Sequence, residues 1–160
     1  MSDFDENVGA FRLPDLVAAE TGRLLPQQEA YLYLIRAAEV LSGPVADLLQ
    51  AHGLSGKQYN ALRAIRRAGD KGATVNEIRH QMTDPRADVT RLIDRLERDG
   101  LAVRRHDSED RRVVRILLSG QGKKLLNDID EPLLQVHQSQ FGRFKLEELE
   151  MLKSLLTNIF

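Results

Sequence analysis

The chain has 160 residues, 42% of them apolar and 29% charged, with a formal net charge of -1 and no cysteine. That is the size of one domain able to bury a real core, and the lack of cysteine excludes disulfide staples, thiol redox switches, Fe-S clusters and thiolate zinc sites. No run approaches the roughly 18 apolar residues of a membrane helix, and residues 1–20 carry acids where a signal peptide has a basic start and an apolar centre, so a cytoplasmic protein is the default.

In chain order, residues 1–25 show no clear period and read as an N-terminal arm. From Pro26 to about Gln50 the sequence is apolar on nearly every side, as in a helix buried between partners, and Gly43-Pro44 is expected to kink or split it. Ser55 opens the next helix, with Gln58 three residues on as a capping box and Tyr59, Leu62 and Ile65 on its inner face; Gly69-Asp70-Lys71-Gly72 ends it. Thr74 and Glu77 repeat the device for a short helix with Val75, Ile78 and Met82 inward. Asp84-Pro85 reads as an N-cap followed by proline at the first helical position, starting a helix whose Val89, Leu92, Ile93 and Leu96 form one stripe before Gly100 stops it.

After Gly100 the period changes to two. Leu101 and Val103 fall on one face of a first strand, and Val114, Ile116 and Leu118 on one face of a second, with His106 to Arg112 as the loop between. Helix, turn, helix, strand, loop, strand is a winged helix. Ser119 then caps a long helix through about Phe144, and Leu146 to Phe160 forms a last one with Leu149, Leu152, Leu156 and Ile159 inward. The fold class is mainly α with a small β-hairpin wing. Its parts are the arm (1–25), N-terminal helices (26–54), a winged helix-turn-helix lobe (55–118) and C-terminal helices (119–160).

Charge is distributed unevenly. Between Ser55 and Arg115 stand 15 Lys and Arg against 10 Asp and Glu, whereas the remainder has 8 against 14. From Arg79 to Arg115 all ten cations are arginine. A solvated, salt-bridged face is one reading; arginine's planar fork, which suits phosphates and base edges, favours nucleic acid. If the second helix enters a major groove, Arg86, Ala87, Thr90 and Arg91 share the face opposite the apolar stripe, with Arg95 one turn on. Arginine pairs with guanine, and Thr and Ala methyls contact thymine. Asp88 either braces a neighbouring arginine or reads a cytosine amino group.

The stretch from Asp88 to Gly122, "DVTRLIDRLERDGLAVRRHDSEDRRVVRILLSGQG", resembles the core of the multiple antibiotic resistance regulator (MarR) family of bacterial winged-helix transcription regulators. Leu118-Ser119-Gly120-Gln121-Gly122 stands where that family commonly has Leu-Thr-x-x-Gly. The resemblance implies a homodimer with intertwined first and last helices, a pseudo-palindromic double-stranded DNA operator, and a response to small aromatic or phenolic effectors, with no cofactor. It also implies an effector region between the dimer helices and the DNA-binding lobe, to which Tyr31, Arg36, His52 and Tyr59 are candidates to contribute; tyrosines in the core with Arg36 and His52 on the surface is the other reading. In the wing, Asp110-Arg111-Arg112 matches the family's Asp-x-Arg motif, whose arginine probes the minor groove. An extended loop would set the Asp110 carboxylate beside the Arg112 guanidinium, with Arg111 turned toward a phosphate and Asp107 and Glu109 limiting non-specific attraction. A surface salt bridge serving the hairpin alone is the other reading.

Competing classes find less support. His52, His80, His106 and His137 have no metal-ligand spacing, so neither a metal nor a catalytic site is assigned, and Gly120-Gln121-Gly122 lacks the third glycine of a phosphate loop. A winged helix used for protein or RNA contact remains as an alternative, as does a monomer whose flanking helices close its own core.

Overall fold

The computed structural model describes residues 25–82, 84 and 87–159. The expected arm therefore lies outside the described residues save for Leu25, and Pro85 and Arg86 lie outside them too. The chain divides into two compact units, residues 1–43 and 44–160. In the first, the described residues form the start of helix α1 (Pro26–Ala51). That helix runs as one element through Pro44, so the expected split does not occur. A proline there removes a single ladder bond, and the turns on either side continue.

The second unit opens with the end of α1. It continues through α2 (Gly56–Arg67), a 3-10 turn (Gly69–Lys71), α3 (Val75–His80), α4 (Val89–Arg98), β1 (Ala102–His106), β2 (Val114–Leu118), α5 (Gly120–Phe141) and α6 (Leu146–Thr157). Both capping boxes form. Ser55 Oγ accepts from the Gln58 N–H while Gln58 Oε1 accepts from the Ser55 N–H, and Thr74 and Glu77 do the same. They fix where α2 and α3 begin.

One core joins these elements: Leu62 and Ile65 of α2, Ile78 of α3, Val89, Ile93 and Leu96 of α4, Ile116 of β2, and Leu126 and Ile129 of α5 are buried together. Each such side chain contributes roughly 1.5–3 kcal/mol on burial. α5 starts as expected, with Ser119 Oγ accepting from the Gly122 N–H at 2.9 Å and donating to the Gly100 carbonyl at 2.6 Å. It packs so closely on the chain before β1 that a Cβ at position 122 would fall inside the Leu101 carbonyl oxygen. This explains the glycine that closes Leu118-Ser119-Gly120-Gln121-Gly122. α5 ends at Phe141, a turn short of the expected Phe144.

The hairpin differs from the alternation read above. Its register pairs Ala102 with Leu118, Arg104 with Ile116 and His106 with Val114. Residues directly opposite share a face, so Ala102, Arg104, Ile116 and Leu118 look inward and Val103 outward. Leu101 is buried before the strand begins, which hides the true phase: Val103 is on the exposed face, not on Leu101's side. Ala73 adds a bridge to Ile116 through two backbone bonds of 2.9 and 2.8 Å. Gly72 at φ +70° makes that approach possible, since a Cβ there would lie 2.7 Å from the Ile116 carbonyl oxygen.

Candidate nucleic-acid interface

α4 starts later than Asp84-Pro85 would place it. Asp88 is the N-cap, its Oδ1 accepting from the Arg91 N–H at 3.2 Å, while Asp84 is turned to Lys57, 2.8 Å from its Nζ. Two aspartates four apart can each cap a helix, and Asp88 is the one at the start of α4. Asp88 Oδ2 also lies 3.3 Å from Arg91 Nε. The carboxylate near the helix start thus braces an arginine.

With Val89, Leu92, Ile93 and Leu96 buried, the opposite side of α4 presents Thr90, Arg91, Asp94, Arg95 and Arg98 to solvent. The Arg91 side chain is 82% exposed. Ala87 is half-buried against the core, and Arg86 is outside the described residues. Arg91 and Arg95 line one groove of about 230 Å³ with Lys57, Ala87 and Asp88. Lys57 was not singled out from the sequence. A signal existed: a cation in the first turn of a helix opposes the macrodipole, which points to a partner elsewhere.

In the wing, the loop from Asp107 to Val113 is tied at nearly every residue. The Asp107 N–H donates to the Val113 carbonyl and the Val113 N–H to the Asp110 carbonyl, both at 2.9 Å. Asp107 Oδ1 accepts from the Glu109 N–H at 2.8 Å, and His106 Nδ1 donates to the Arg111 carbonyl at 2.8 Å. Asp110 Oδ1 accepts from the backbone N–H of Arg112 at 2.9 Å. The expected pairing of this carboxylate with the Arg112 guanidinium is not what forms, because the loop is turned at Arg111-Arg112 and residues two apart no longer share a face. Asp110 shapes the turn, and the Arg111 and Arg112 side chains are exposed on it.

Asp107 has a larger part than its charge suggested. It is hydrogen-bonded to Arg115 of β2, whose Nη1 lies 3.8 Å from Glu77 Oε2 in the α3 capping box. The Arg115 guanidinium, then the Glu109 N–H, hold the Asp107 carboxyl down at about 2. The Thr74 backbone and hydroxyl, with Arg115 adding its field, lower that of Glu77. Arg105 and Arg115 face each other across the hairpin, a repulsive pairing that these acids offset. The sequence shows Arg115 only as one more cation; its role depends on register.

In the first unit Tyr31 is 63% exposed, and Arg36 Nη1 lies 3.2 Å from Glu39 Oε2. In the second, Tyr59 is buried, its hydroxyl accepting from Arg63 Nη1 at 2.7 Å, and His52 Nδ1 donates to the Leu48 carbonyl at 2.9 Å. His52 lines a cavity of about 350 Å³ with Leu101, Lys124 and Asp128; Tyr59 is not among its walls. Among the described residues no cluster of acids and histidines could hold a metal, and no helix is long and apolar enough to cross a membrane.

A helix with an outward basic flank beside a braced, arginine-tipped hairpin has the chemistry that suits duplex nucleic acid. Comparison with known proteins agrees. The MarR family model matches residues 52–113. The HTH-type transcriptional repressor YetL of Bacillus subtilis is 28% identical over 136 residues, covering 82% of this chain and 79% of that protein. The crystal structure of a MarR transcription factor from Planctomyces limnophilus is 36% identical, covering 86% of this chain and 98% of that one with a TM-score of 0.62. The S. aureus MepR–DNA complex is 26% identical, covering 81% and 92% with a TM-score of 0.66. With the winged-helix fold, the wing motif and a 36% identical relative matched over nearly its whole length, the chain belongs to the MarR family of DNA-binding transcription regulators.

Proposed function

We propose that this regulator is a homodimeric repressor that binds a pseudo-palindromic operator in the bacterial cytoplasm, at the nucleoid. The observation that carries the reading is the arginine set on α4 and the wing, held in one body by a shared core. Thr90, Arg91 and Arg95 would meet base edges and phosphates of the major groove. Arg112 would enter the neighbouring minor groove, where a narrow A·T stretch concentrates negative potential, and Arg111 would meet a phosphate. Arg86, four residues ahead of Thr90 in sequence, joins the major-groove set.

Dimerisation supplies the second half-site. Leu146, Met151 and Leu155 of α6 are 75%, 67% and 61% exposed in the single chain, more apolar surface than a monomer ordinarily leaves open. In the first unit Tyr31, Tyr33, Ile35 and Val40 are exposed as well. A second copy covering both segments would leave the acidic flanks away from DNA. An effector in this reading is a small aromatic carboxylate, the class of ligand that an aromatic wall and one cation suit.

The test is an electrophoretic shift of the purified protein on genomic DNA fragments, with RNA of equal length as competitor. Retention of a subset of duplex fragments against excess RNA supports the reading. Preference for RNA, or no preference among fragments, supports a protein- or RNA-contact module instead.

A further inference from the structure

Asp94 and Glu97 are awkward residues for a DNA-reading helix. Three apart, they share one flank of α4, and two carboxylates near phosphate are repulsive. The flank they share is the one that meets β1. There Arg104 reaches both: Nη2 lies 2.5 Å from Asp94 Oδ1 and Nη1 2.5 Å from Glu97 Oε2. The Arg104 side chain is 32% exposed, and its register opposite Ile116 puts it on the inner face of the hairpin. Alternation there calls for an apolar residue. The arginine stands between the two elements that would read DNA.

Resting on the DNA reading above, we propose that Arg104 is a positioning residue: its guanidinium fixes the angle between wing and recognition helix and masks two carboxylates on the helix. A guanidinium is planar, and two hydrogen bonds from one fork to two acceptors set orientation as well as distance. Orientation matters because the two elements enter different grooves, and an error at the strand is carried out along the hairpin to Arg112. A lysine would keep the charge and lose the fork. This separates the two roles.

The test uses the full chain and an operator obtained by selection from random duplexes, with a scrambled duplex of the same length as reference. In Arg104→Lys, affinity for the scrambled duplex and its salt dependence stay at wild-type values, while the operator-over-scrambled ratio falls about tenfold. Hydroxyl-radical protection is lost at the wing positions and kept in the major-groove half-sites. Arg104→Met weakens binding to both duplexes; adding Asp94→Asn and Glu97→Gln restores binding to the scrambled duplex but not the ratio. If Arg104→Met does not fold, Arg104→Lys carries the test alone. A folded, dimeric Arg104→Lys with wild-type ratio and full wing protection overturns the proposal. A wild-type protein that prefers no duplex overturns the DNA reading, and the proposal with it.

Discussion

Arg66 of α2 and Asp130 of α5 meet as fork and carboxylate, with Nη1 2.7 Å from Oδ2 and Nη2 2.8 Å from Oδ1. The hydrogen bonds, reinforced by the opposite charge, lower the Asp130 carboxyl and raise the Arg66 guanidinium. The pair ties the winged-helix lobe to α5. Both partners are partly exposed, so solvent screening limits its worth to roughly 0.5–1 kcal/mol. Because the folded carboxyl lies below its unfolded value of about 3.9, the contribution is complete above that pH and is lost as pH falls through the depressed value. A double-mutant cycle of Arg66→Met and Asp130→Asn, followed by urea unfolding, should give this coupling at pH 7 and a shrinking one on acidification below about pH 4.

Asp107 should titrate with a midpoint of about 2 by carboxyl NMR. In Arg115→Met the midpoint should rise toward the ordinary value of about 3.9, since the main cause of the depression is gone. The sign follows: what Asp107 gives the wing is present above the unfolded carboxyl value and is lost as pH falls through about 2. Hydrogen exchange at the Glu109 and Asp110 amides, which donate to Asp107, should quicken in Asp107→Asn at neutral pH. Unchanged exchange would mean the loop holds its shape without the carboxylate.

Arg112→Ala should leave the fold intact and weaken operator binding by roughly 1–3 kcal/mol, read by fluorescence anisotropy. Asp110→Ala should show a smaller loss, now because the turn that presents Arg112 is loosened. Arg111→Ala should instead flatten the salt dependence by about one counterion. If Arg112→Ala binds as the wild type does, the two arginines serve only the loop.

Much of the lobe was legible because its signals are local. The capping boxes at Ser55 and Thr74 and the stripe of Val89, Leu92, Ile93 and Leu96 depend on residues within one or two turns, and all form. What the sequence hid depends on pairing between distant segments. Alternation puts Leu101 and Val103 on one face, yet Leu101 lies before the strand, and Arg104 takes the inward place, where Asp94 and Glu97 meet it. Asp84-Pro85 reads as the helix start, and Asp88 is the cap that forms. An extended loop would set Asp110 and Arg112 side by side, and a turn redirects the carboxylate to the backbone. Arg91, Arg95, Arg111 and Arg112 read as exposed cations and are exposed, whereas the Arg115 to Asp107 brace depends on the register.

Removing Lys145 to Phe160 should expose partner surface and abolish both dimer and tight DNA binding. Sedimentation velocity at micromolar concentration is the check, with the truncated chain expected at monomer mass. A truncated chain that stays dimeric and binds DNA normally would place the interface elsewhere.

The most direct measurement is selection of duplexes from a random pool by the full-length protein, followed by sequencing. Two winged-helix lobes related by a two-fold axis should enrich an inverted repeat whose half-site centres lie about 10–10.5 base pairs, or roughly 34–36 Å, apart, with A·T bases where the wings reach. Enrichment of that pattern is the result expected here. Recovery of unenriched sequence, or of a single half-site without its inverted partner, would contradict the account of a dimer reading DNA through α4 and the wing.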